Sequence, residues 1–100
     1  MAGGHSDARK VDEEHRTKFS GWKGSVEDKA GRTFAIFEPV SYTQQVVAGM
    51  IYHVKYKVAD GEWIHARVYQ PLPHTGEPAQ CQVVAGGKGE TDPIEILNPE

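Results

Sequence analysis

The chain has 100 residues, 38% hydrophobic and 25% charged, which is the balance of a water-facing globular domain with room for one core and no separate cofactor module. Eleven Lys and Arg against fourteen Asp and Glu give a net charge of -3 with His neutral, so the surface as a whole repels phosphate backbones and nucleic acid is excluded as a partner. A single cysteine, Cys81, excludes an internal disulfide and a cysteine zinc cage. The polar start around Gly3-Gly4-His5 predicts neither a secretory signal nor a membrane partner, so the cytoplasm is the expected location.

Val11, His15, Phe19, Trp22 and Val26 recur at steps of four, four, three and four, which lines one face of a single helix. Ser6 and Asp7 are its candidate caps, and Lys29-Ala30-Gly31 marks its end. Gly21 and Gly24 inside the pattern cost about 1 kcal/mol each relative to Ala, so the helix relies on packing Phe19 and Trp22. Residues 34–42, rich in aromatic and β-branched side chains, read as a first strand, with Pro39 at an edge or a bulge. Residues 50–58 alternate, with Tyr52, Val54, Tyr56 and Val58 on one face and His53, Lys55 and Lys57 on the other. Asp60-Gly61 is a hairpin turn, and residues 63–69 return with Ile64, Ala66 and Val68 on one side. Pro71, Pro73, Gly76 and Pro78 make an exposed loop, after which residues 80–85 form another strand. The stretch from Gly86 is weaker, with Ile94, Ile96 and Leu97 suited to a last short strand. The plan is α+β, one domain over residues 1–100, in which an N-terminal helix covers a four- to five-stranded antiparallel sheet.

Little in this pattern carries covalent chemistry. His5, His15, His53, His65 and His74 are scattered without metal-ligand spacing and read as surface or cross-strand residues, His53 and His65 facing each other across the Asp60-Gly61 turn. Cys81 reads as a half-buried strand residue that nothing nearby activates. Gly86-Gly87-Lys88-Gly89 reads as a flexible turn, because no helical pattern follows it as a phosphate loop requires. Lys55, Lys57 and Arg67 read as a solvated strip on the sheet. No catalytic residue, metal or cofactor is expected.

The anomaly is apolar residues at turns. Gln45-Val46-Val47-Ala48-Gly49 lies between two strand patterns, so a turn falls there, with Gly49 supplying the permissive backbone. Leu72 stands between Pro71 and Pro73 on the next loop. Either these side chains form an exposed binding edge, or they are strand ends packed inward.

Those residues, followed by Tyr52, then His65-Ala66-Arg67-Val68-Tyr69-Gln70 and Leu72-Pro73-His74, resemble the stefins, the intracellular type 1 cystatins. Gly3-Gly4 near the start is similar to the trunk of the same family. The resemblance implies a cystatin-like sheet wrapped around one helix, with a wedge at one end that enters the active-site cleft of papain-like cysteine proteases, the cathepsin class. Carried over residue by residue, the wedge consists of Ala2, Gly3 and Gly4 in a flexible trunk (residues 1–5), Gln45, Val46, Val47, Ala48 and Gly49 in the first hairpin, and Leu72, Pro73 and His74 in the second. It further implies a reversible, competitive, tight-binding inhibitor with no nucleophile and no enzymatic activity. The implied state is a monomer, with a domain-swapped dimer through the first hairpin as a second state. A non-inhibitory cystatin-like binding module is the other reading. Gln82-Val83-Val84-Ala85-Gly86 repeats the first hairpin's five residues but reads as a strand ending in a glycine turn, and residues 87–100 diverge from the family.

Overall fold

The computed structural model describes residues 7–98. A short strand β1 (Arg9–Lys10) precedes helices α1 (Glu13–Ser20) and α2 (Lys23–Ala30). Strands β2 (Glu38–Val47), β3 (Gly49–Ala59), β4 (Glu62–Gln70) and β5 (Gln80–Lys88) follow, with a turn of 3-10 helix at Pro73–Thr75. The sheet runs in the order β1-β2-β3-β4-β5, every neighbouring pair antiparallel.

The expected single helix is two helices. Asp12, not Ser6 or Asp7, starts the first: its Oδ1 accepts the His15 backbone N–H at 2.8 Å and lies 2.7 Å from the His15 ring Nδ1. Those bonds, the backbone one foremost, hold the Asp12 carboxyl below its ordinary value. Ser6 lies outside the described residues. The break falls at Gly21-Trp22, where the Trp22 N–H reaches back only three residues, to the Phe19 carbonyl at 3.2 Å. The same carbonyl accepts the hydroxyl of buried Tyr56 at 3.0 Å. The helical spacing therefore survives the break, because Phe19 and Val26 both remain in the core. The second helix stops at Gly31, in the left-handed region at φ 73°.

Phe34 is buried in the loop ahead of β2 and not on a strand, since the Glu27 carboxylate takes its N–H at 2.7 Å and the ladder starts only at Glu38. The expected irregularity at Pro39 is present as a register shift between Pro39 and Ser41. Alternation then sets the packing. Tyr52, Val54, Tyr56 and Val58 of β3 and Ile64, Ala66 and Val68 of β4 face Phe19 and Val26, and Cys81 joins them from β5. Each Val, Ile or Phe side chain buried there contributes about 1.5–3 kcal/mol of hydrophobic stabilisation. Phe19 sits edge-on to Tyr42 and Tyr52, with centroids 5.1 and 5.2 Å away.

The opposite face of the sheet departs from the sequence reading. His53, Lys55 and His65 are buried, because residues 89–98 run across them as an extended strap without forming a strand. Lys55 Nζ donates to the carbonyls of Glu90 (2.8 Å) and Asp92, and Arg67 Nη1 donates to that of Leu97 at 2.7 Å. The Leu97 N–H donates to His53 Nε2 at 2.9 Å. His53 and His65 also do not face each other: the two-residue turn and a bulge between Lys57 and Ala59 pair His53 with Arg67 and Lys55 with His65. Gly86 and Gly87 of the expected turn lie inside β5, where pairing jumps from Trp63–Lys88 to His65–Ala85. Gly87, at φ 69°, makes a bulge in the strand and not its end.

Candidate binding edge

The first of the two neighbouring hairpins is as tight as a ladder allows. Val46 pairs with Met50 and Val47 with Gly49, leaving Ala48 alone at the tip. The Ala48 carbonyl accepts the Tyr69 hydroxyl at 2.7 Å, so a residue from β4 anchors the tip of the β2–β3 hairpin. Gly49 is buried at φ 118°, and a Cβ built there would lie 2.4 Å from the Gln70 carbonyl oxygen. Only glycine lets the first hairpin lie this close to the end of β4.

Gln70 is also the residue from which the second tip starts. It pairs with Met50, and buried Pro71 turns the chain into Leu72 and the Pro73–Thr75 turn. That turn is held by the Thr75 N–H and hydroxyl, both donating to the Leu72 carbonyl at 3.1 and 2.8 Å, and it ends at Gly76 with φ 69°. Stiff prolines and short local bonds hold Leu72 outward without a core beneath it.

Of the two readings left open by sequence, inward packing is ruled out: Val46 is 63% exposed, Val47 36% and Leu72 38%. Ala48, Pro73 and His74 are exposed beside them, while Gln45 is partly buried on the ladder. An open recess of about 650 Å³ lies at this end of the molecule, bordered by Trp22, Val47, Met50, Tyr52 and Leu72. Ala2, Gly3 and Gly4 lie outside the described residues. The sequence reading missed Tyr69 and Pro71, which hold the two tips together; a tyrosine at the end of a strand whose partner leads into an apolar turn is the only signal that pointed to the first.

The other candidates stay apart from this edge. The repeated segment Gln82-Gly86 pairs along β4 within the sheet and forms no hairpin tip, contrary to the glycine turn expected at its end. Cys81 is buried, and burial pushes its thiol up to about 11, so the chain's one sulfhydryl is no nucleophile at neutral pH. His15 lies in the first turn of α1, its ring Nδ1 against the Asp12 cap, and stacks on Tyr42 with centroids 4.8 Å apart. Among the described residues, no helix is long and apolar enough to cross a membrane.

The architecture is a five-stranded antiparallel sheet closed on one face by a helical segment, with two apolar hairpin tips side by side at one end. The chain belongs to the cystatin family: the model of the cystatin domain matches residues 26–88. Its relatives include Cystatin-B of Paralichthys olivaceus, 35% identical over 97% of this chain and 99% of that protein. Stefin-C of Bos taurus is 36% identical over 76% of this chain and 75% of its own length. Leukocyte cysteine proteinase inhibitor 1 of Sus scrofa is 36% identical over 78% of this chain and 76% of its own. The stefin resemblance in the sequence is thereby confirmed.

Proposed function

We propose that this protein is a reversible, competitive, tight-binding inhibitor of papain-like cysteine proteases of the cathepsin class, acting in the cytoplasm as one cystatin-like domain and not as an enzyme. The observation that carries the proposal is the exposure of Val46, Val47 and Leu72 on two tips that Gly49, Gln70 and Tyr69 lock together. A relative named as a cysteine proteinase inhibitor supports the partner class. In this reading the trunk residues Ala2, Gly3 and Gly4 join Gln45 to Gly49 and Leu72, Pro73 and His74 in one wedge that fills the cleft. Apolar tips desolvate against the cleft wall, and because they are already ordered, little entropy is lost on docking. The wedge blocks substrate by occupancy and needs no covalent step.

Titrating papain with the wild-type chain and with Val47→Asp tests this. Wild type should abolish activity near equimolar ratio, and the variant should bind at least about 30-fold more weakly, the loss expected when a hot-spot contact of about 2 kcal/mol is replaced by a desolvated charge. Full residual protease activity at equimolar wild type, or equal inhibition by both proteins, rejects the wedge; the first outcome leaves the non-inhibitory module.

A further inference from the structure

The strap across the sheet is held by groups whose protonation state matters. The Leu97 N–H donates to His53 Nε2 at 2.9 Å, which requires that nitrogen to be unprotonated. Its neighbour His65 is fully buried beneath the same strap, and neither of its ring nitrogens has a hydrogen-bond partner. His65 faces Lys55 across the β3–β4 ladder, with Lys88 on β5 beyond it and Asp92 and Glu95 on the strap. Around His53, Arg67 is the cross-strand partner on β4, Thr43 the partner on β2, and Lys55 the next residue of β3 on that face. Lys88 pairs with Glu95, and Asp92 Oδ2 accepts the Gly89 N–H at 2.8 Å.

We propose that residues 89–98 form an acid-released strap: protonating His65 detaches it from the sheet while the five-stranded core stays folded. A proton on His65 adds a third cation beside Lys55 and Lys88 in a site with no acceptor for its N–H groups. Lifting the strap hydrates the His65 ring and separates the cations. Burial, with Lys55 and Lys88 adding to it, lowers His65 to about 4 from 6.5. The docked state therefore holds its full advantage above pH 6.5 and loses it as pH falls towards 4, by up to roughly 300-fold across those 2.5 units if the released ring regains its ordinary value. Glu95 acts in a lower window. Its pairing with Lys88 holds its carboxyl below the usual value, so that contact is lost only as pH falls beneath the ordinary carboxylate range.

Backbone ¹⁵N relaxation of the full chain, followed from pH 7 to pH 3.5 alongside the His65 ring signals, tests the proposal. The amides of Ile94 to Leu97 should become mobile on the nanosecond scale between pH 6.5 and 4, in step with the His65 ring, while the Tyr56 amide remains rigid. His65→Phe, or His65→Gln should the phenyl ring not be accommodated, should move that midpoint down by at least one pH unit, and Glu95→Gln should not. An unchanged midpoint in both His65 variants, a midpoint that follows Glu95→Gln instead, or simultaneous loosening of Tyr56 and the strap overturns it.

Discussion

Replacing Gly49 by alanine should uncouple the two tips. The backbone there sits at φ 118°, a conformation that costs a side-chain-bearing residue about 1–3 kcal/mol. The added Cβ would also lie 2.4 Å from the Gln70 carbonyl oxygen, 3.2 Å from Pro71 Cα and 3.2 Å from Tyr69 Cε1. Cβ contacts under 3.0 Å are essentially never seen, so the first hairpin and the end of β4 must part by roughly 0.6 Å, and overpacking of this kind costs about 1–3 kcal/mol. Together these give about 2–6 kcal/mol. In a domain of this size, 1 kcal/mol moves Tm by about 4–8 °C, so the variant should melt at least about 8 °C below wild type. Thermal unfolding followed by circular dichroism measures this, with Gly24→Ala as the reference. Gly24 lies inside α2 with nothing within 4 Å of a built Cβ, so that substitution should raise stability by up to about 1 kcal/mol. A Gly49→Ala protein that melts within about 4 °C of wild type would refute the argument, because the contact and the strain cannot both be real and cost so little.

Asp12→Ala removes the cap of α1 and should cost about 1 kcal/mol, visible as a lower Tm, whereas Asp12→Asn, which keeps an acceptor oxygen, should lose less. Tyr56→Phe deletes the hydroxyl bonded to the Phe19 carbonyl in the core and should lower the urea midpoint by an amount equal to about 1–2 kcal/mol at unchanged m. Cys81 in the native protein should react with an aromatic disulfide reagent at pH 8 at least about a hundredfold more slowly than in urea, given a thiol raised from 9.0 to about 11. Rates within tenfold of each other would mean that the strand opens readily. The same shift makes the unfolded chain shed this proton first, so stability should fall as pH rises from 9 to 11, and Cys81→Ala should flatten that part of the profile.

The sheet was legible because its core face is written as strict alternation: Tyr52, Val54, Tyr56 and Val58 leave one choice of inward side. Alternation cannot say what meets the other side. His53, Lys55, His65 and Arg67 have the pattern of a solvated face, yet the strap covers it. The helical face was legible, but its continuity was not, because Gly21 and Trp22 let the ladder step back by three residues without moving Phe19 or Val26 out of register with the core. At the exposed edge, Val46, Val47 and Leu72 announced themselves as apolar residues at turns. What joins their two tips was hidden, because Gly49 against Gln70 and Tyr69 on Ala48 are contacts between residues about twenty positions apart, which local pattern does not encode.

The grip on the strap has a consequence for how freely this segment can vary. Lys55 holds the carbonyls of Glu90 and Asp92, Arg67 holds the carbonyl of Leu97, and His53 takes the amide of Leu97, so these contacts grasp main chain, with Lys88 on Glu95 as a side-chain pair beside them. Substitutions at position 90 leave every one of these bonds available. A proline at 97 removes the single amide that the clamp requires. The match to the cystatin-domain model ends at residue 88, where the strap begins.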